Sequence, residues 1–153
     1  MMGRAVRGAM GGAAGTVALT VLRQTLKHMG LVHTSAPEQV VARLEELRVV
    51  HEWSPAAQRA LSVAAHFAYG VGTGAFFGML RRDRGGKVEE AAVGSALGIL
   101  SWGAGWSTWL PLAGVHEPPW RQRTWKVLLP VLDHAAFGVV WGLLYRALAR
   151  EPQ

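Results

Sequence analysis

Four long apolar stretches, each met by charged residues, constrain this chain more than any other feature. The first runs from Gly8 to Leu22 between Arg7 and Arg23, and the second from Ala60 to Leu80 between Arg59 and Arg81. The third runs from Ala91 to about Val115 after Glu89 and Glu90, and the fourth from Val127 to Tyr145 between Lys126 and Arg146. About 20 apolar residues in a helix cross a hydrocarbon core, and fewer suffice where flanking Lys or Arg side chains snorkel outward. Arg23 and Lys27 are placed to snorkel in this way, so the first helix can continue towards Met29. The resulting spans cover about 8–29, 57–80, 90–114 and 124–147. Arg4 and Arg7 before the first stretch have the outline of a signal peptide, but no small-residue cleavage site followed by polar sequence is evident, so it reads as a retained span.

The connections carry interface chemistry. Ser35 is placed as an N-cap and Pro37 in a first turn, after which Val40, Val41, Leu44 and Leu47 share one face. This predicts a short amphipathic helix over about 37–50, lying on the membrane surface or capping the bundle. Pro118-Pro119 stops helix propagation between the third and fourth spans. Trp53, Trp106, Trp109, Trp120 and Trp125 gather at one boundary, as an aromatic anchoring belt does. Basic residues divide equally between the two sides. Those beside the N-terminus, Arg81–Lys87 and the C-terminal tail lie in the shorter, denser loops, which places both termini in the cytoplasm.

The second and fourth spans share a pattern. His66, Gly70 and Gly74 superpose on His134, Gly138 and Gly142 at an offset of 68, which also aligns Leu61 with Leu129, Val63 with Val131, Leu80 with Leu148 and Arg82 with Arg150. The first and third spans match more weakly, Gly8 and Gly12 on Gly94 and Gly98, at an offset of 86. The difference of 18 residues is about the length of the amphipathic segment. Two copies of a helical hairpin, the first with an insertion, account for this; both copies would point the same way, as parallel repeats do. Gly70, Gly74 and Gly78, and the pairs Gly8/Gly12, Gly94/Gly98 and Gly138/Gly142, form small-xxx-small tracks that let helices approach closely in lipid. Gly70–Gly74 follows no predicted strand, so it is not a dinucleotide fingerprint, and Gly11–Thr16 lacks the lysine of a phosphate loop.

The chemistry the chain can perform is narrowed by what it lacks. There is no Cys, which removes disulfides, thiolate metal sites and thiol nucleophiles. The net charge of +6 arises at the ends of apolar segments, where headgroups lie, and not in a basic stripe of the kind nucleic acid needs. No nucleophile elbow, paired carboxylates or metallohydrolase motif occurs, so an enzyme is not expected. His66 and His134 sit at equal depth, about 10 Å from the aromatic end. They can lock packing by hydrogen bonding, ligate haem iron, a chlorophyll-type pigment or a copper or zinc ion, or relay protons together with Asp133. Packing with no cofactor is the reading preferred among these. His28, His33, His51 and His116 fall in the connections as solvated interface residues.

The opening Gly8–Thr16 span, the run from Trp102 to Pro111 and the two His-to-Gly helices give the chain a resemblance. It is similar to the YagU-like group of small bacterial inner-membrane proteins. That resemblance implies a four-span inner-membrane protein linked to envelope or acid stress, and it supplies no catalytic residues. The expected architecture is an all-α integral membrane four-helix bundle, made of two pseudo-repeated helical hairpins with one short amphipathic surface helix. The expected role is that of a non-enzymatic accessory or assembly subunit, surrounded by lipid and docked on other integral membrane subunits through its glycine tracks. The alternative is a haem-, pigment- or metal-binding, or proton- or ion-conducting, bundle centred on His66 and His134.

Overall fold

The computed structural model describes residues 2–32, 34–81 and 85–149. His33, Arg82, Arg84 and Arg150, and the side chain of Trp125, lie outside the described residues. The described chain is all-helical: α1 (Arg4–His28), α2 (Ala36–Glu46), α3 (Pro55–Leu80), α4 (Lys87–Ala104), a π-helical turn (Gly105–Trp109), α5 (Leu110–Leu112), a 3-10 turn (Pro119–Arg121) and α6 (Thr124–Ala149). Three helices, α1, α3 and α6 from Lys126, are long and apolar enough to cross a membrane, so this is a membrane protein by length and composition. α4 holds Lys87, Glu89 and Glu90 within its 18 residues and gives way to the π-helical turn, so it does not join them unaided.

Local chemistry sets these boundaries. Ser54 caps α3 by accepting the Ala57 N–H at 3.2 Å, with Pro55 in the first position where its missing donor is harmless. The Ser35 N–H donates to Glu38 at 2.6 Å, the carboxylate half of a capping box that starts α2. Pro111 has no N–H to offer the Ser107 carbonyl, and the ladder there widens so that Leu110 N–H reaches Gly105. α1 and α5 each close with glycine at positive φ, Gly30 and Gly114, and the N–H of the next residue reaches back five residues, to Leu26 and Leu110. α2 closes in the same way but with Arg48 in the left-handed position.

Packing follows the glycines. α1 lies antiparallel on α3: a methyl group on Gly8 would strike the Gly74 carbonyl, and one on Gly12 the Gly70 carbonyl. α4 lies antiparallel on α6, where Gly94 meets the Gly138 carbonyl and Gly98 the His134 carbonyl. Backbones this close gain dispersion contacts that any side chain would forbid. The correspondence between the two pairs is specific. Gly12 meets Gly70 and Gly74 as Gly94 meets Gly138 and Gly142, an offset of 82 (94 minus 12), while the α3–α6 offset stays at 68. The contacts thus place α1 and α4 in matching packing registers one helical turn away from the offset of 86. Glycines repeating every fourth residue match almost as well after a one-turn slip, and only the packing distinguishes the two registers.

A third seam joins the pairs. Gly11 and Gly15, on another face of α1, receive Trp141 and Phe137 of α6. The Trp141 indole donates to the Gly8 carbonyl at 3.1 Å. Below it, Tyr145 stacks on Trp141, takes the Arg7 guanidinium over its ring at 5.1 Å and reaches the Gly78 and Arg81 carbonyls. Arg81 holds the buried Glu90 through two hydrogen bonds of 3.0 Å and Glu89 at 2.7 Å, tying α3 to the start of α4. This end of the molecule is sealed. The glycine tracks are therefore consumed inside the chain and offer no spare faces to a partner; Gly72 and Gly103 alone within the long helices have open space beside them, among the described residues.

Candidate functional site

The opposite end is not sealed. α1 and α6 are in close contact, but α3 and α4, which occupy the corresponding places in the other pair, do not close on each other in the same way. Tyr69 donates to the Ser101 carbonyl at 3.0 Å, a bridge between two helices that otherwise scarcely touch. The gap is an apolar cavity of about 180 Å³. Its walls are Leu19 and Arg23 of α1, Ala65, His66 and Tyr69 of α3, Ser101 and Trp102 of α4, Trp106 and Trp109 of the π-helical turn, and His134 of α6. The start of α2, from Ser35 to Val40, forms its roof. Ala65, Tyr69 and Trp109 are exposed at the outer edge, so the cavity opens sideways.

His66 and His134 thus reach one cavity, as their equal depth predicted. The His134 Nδ1 lies 2.8 Å from the Pro130 carbonyl. A carbonyl only accepts, so Nδ1 carries the proton of this hydrogen bond. Among the described residues no group of three or more His, Asp or Glu side chains is close enough to hold a metal ion. The cavity is also small beside the ~300–1,000 Å³ of pockets for drug-sized ligands, so a porphyrin or chlorophyll-type ring does not fit between the helices as they stand.

The residue that organises the site is one assigned elsewhere by its sequence position. Arg23 was expected to snorkel to the interface; it is buried, and its Nε donates to Asp133 Oδ2 at 2.8 Å. Both partners are nearly inaccessible, with side-chain exposures of 10% and 2%. Taking a charged pair out of water is strongly unfavourable unless the geometry repays it, so this bridge fixes α1 against α6 beside the cavity. Two apolar helices each carrying one opposite charge near the same end was the available signal. Arg23 also borders two further cavities. One is a polar vestibule of about 530 Å³ with Arg121, Arg123, Lys126, Glu117, Gln122 and Asp133. The other, of about 100 Å³, reaches His66 from the side of Lys27 and Glu38.

The aromatic residues are not a simple belt. Trp102 and Trp106 stack at 6.1 Å between centroids, and Trp106 continues onto His116 at 4.1 Å. Trp106 is 7% exposed. Trp102 Nε1, Trp106 Nε1 and His116 Nε2 are buried with no hydrogen-bond partner among the described residues. His116, expected to be solvated, is half-buried in this stack because the turn at Gly114 folds the connection back over α4. His28 and His51 are exposed as expected. A buried unmade donor costs about 1–3 kcal/mol, and Trp102 and Trp106, which both line the cavity, each carry one. Lys27 pairs with Glu38 at 2.6 Å, clamping the roof helix α2 to α1. Burial alone would raise the Glu38 carboxyl, but hydrogen bonds from Lys27 and from Ser35, with the Lys27 charge, hold it below its ordinary value.

Comparison with family models, with curated proteins and with solved structures gives no match for this chain.

Proposed function

We propose that this chain is a four-span, non-enzymatic protein of the bacterial inner membrane, built from two related hairpins, and that it binds a small, largely apolar molecule between α3 and α4. One observation carries the reading: α3 and α4 do not pack on each other and leave between them an apolar cavity lined by Trp102, Trp106 and Trp109. The fourth span is the run from Lys87 through Leu112, and the matching glycine contacts of the two pairs support the duplication. The denser basic loops support cytoplasmic termini, which puts the cavity in the outer leaflet. Kinship with the YagU-like group belongs to the same proposal, on the Gly8–Thr16 and Trp102–Pro111 segments. The far end is filled by Phe137, Trp141 and Tyr145, each at most 5% exposed, which favours holding a ligand over conducting one.

The test is native mass spectrometry of protein extracted in mild detergent. Ala65 is exposed at the mouth, so Ala65→Trp fills the cavity without touching the seams. The expected result is a stoichiometric small-molecule adduct on the native chain, absent from Ala65→Trp at unchanged melting temperature. No adduct, or one retained by Ala65→Trp, would refute the reading. An accessory-subunit role is a second reading. It is favoured by α3, which buries less of its length inside the chain than α1 or α6 and shows Val63, Phe76 and Met79 outward. Stoichiometric co-purification of another membrane polypeptide, lost on Phe76→Lys, checks it.

A further inference from the structure

The cavity and the vestibule share two residues, Arg23 and Trp106, and differ sharply in chemistry. One is an apolar gap open sideways towards lipid. The other is a wider polar chamber in which Arg23, Arg121, Arg123 and Lys126 face Glu117 and Asp133, and Asp133 is already held by Arg23. With Arg23 and Asp133 paired to each other, Arg121 and Arg123 share the chamber with one further carboxylate, Glu117. Trp106 stands at the junction with its indole N–H buried and unpartnered. The geometry points to a single composite site for an anionic amphiphile. Its phosphate or carboxylate head sits among Arg121 and Arg123, and its chain passes Trp106 to lie between α3 and α4. This rests on the ligand-binding reading above and names the class of ligand.

The dimensions fit one chain. A cavity of about 180 Å³ is close to the ~150 Å³ of an engineered apolar cavity that takes benzene, so it accommodates a short length of one hydrocarbon tail. The remainder leaves between Tyr69 and Trp109 into the bilayer, the route by which such a molecule would also enter. The head needs no such confinement, since the vestibule is about 530 Å³. Arginine suits this role because its fork of donors matches an anionic head and holds its charge at any physiological pH.

The experiment uses the full chain in nanodiscs of neutral phosphatidylcholine, with dodecyl phosphate, inorganic phosphate and dodecanol as probes and calorimetric titration as readout. Dodecyl phosphate is expected to bind saturably, one per chain. Affinity should fall about tenfold or more in Arg121→Ala/Arg123→Ala, and binding should be lost in Ala65→Trp. Inorganic phosphate alone binding as tightly would make the source a free anion and overturn the amphiphile. Dodecanol binding equally well, with no effect of the double substitution, would overturn the anionic head while leaving the ligand-binding reading intact. No saturable binding of any probe would overturn the class; a persisting native adduct would then show that a ligand site exists, and its absence would remove both readings.

Discussion

Breaking the Arg23–Asp133 bridge has a calculable consequence. At an effective dielectric of about 20, unit charges 2.8 Å apart attract by ~6 kcal/mol, and desolvating both takes back several kcal/mol of that. The intact pair therefore contributes little net stability, but removal of one partner leaves the other charge buried and alone. Arg23→Met or Asp133→Leu singly should each destabilise the chain by about 3–5 kcal/mol. The double substitution Arg23→Met/Asp133→Leu replaces the pair by apolar groups and should cost no more than about 2 kcal/mol, giving a coupling energy of about 4 kcal/mol or more. The assay is reversible unfolding by sodium dodecyl sulfate in mixed micelles, followed by circular dichroism for the four proteins. Coupling below about 0.5 kcal/mol would show that the two side chains are separately solvated, and the buried bridge between α1 and α6 would fail.

Three further outcomes follow from the packing and the caps. Gly94→Val and Gly12→Val drive a side chain into a facing carbonyl and should abolish stable folding in micelles, whereas Gly72→Ala, with open space beside it, should leave the melting temperature unchanged or slightly higher. Arg48→Gly should stabilise α2 by up to about 1 kcal/mol, because the left-handed position that Gly30 and Gly114 fill elsewhere suits glycine; a lower melting temperature would refute this. Glu38 contributes stability that is present above its unfolded value near 4.5 and lost as pH falls through its lower folded value. The roof helix should therefore become susceptible to proteolysis below about pH 4.5, and in Glu38→Gln it should be equally susceptible at all pH values.

Much of this architecture was legible because lipid makes simple demands. Charge-bounded apolar runs marked the helices, and glycine spacing marked α1–α3 and α4–α6 as tight antiparallel pairs. Equal depth brought His66 and His134 to one cavity. What escaped depended on which way a side chain turns. Arg23 lies at the end of an apolar run, where snorkelling and inward pairing leave the same trace in the sequence, and its partner is 110 positions away. Gly11 and Gly15 were hidden beside Gly8 and Gly12, since a helix with glycine on two faces does not announce two neighbours. The π-helical turn follows from Pro111 and Gly105, but a proline near a helix end more often marks a stop. The open interface between α3 and α4 has no sequence signature, because the absence of contact leaves no pattern to read.

The chain has no native cysteine, so single cysteines report the sidedness of each connection without background. The decisive measurement is labelling of Gly3→Cys, Glu52→Cys, Gly86→Cys and Glu117→Cys with a membrane-impermeant maleimide, in right-side-out and inverted vesicles. Four crossings predict that Gly3→Cys and Gly86→Cys react from one face only, and Glu52→Cys and Glu117→Cys only from the other. Reaction of Gly86→Cys and Glu117→Cys from the same face would mean that the helix from Lys87 to Leu112 does not cross, and would contradict the paired-hairpin arrangement on which the site depends.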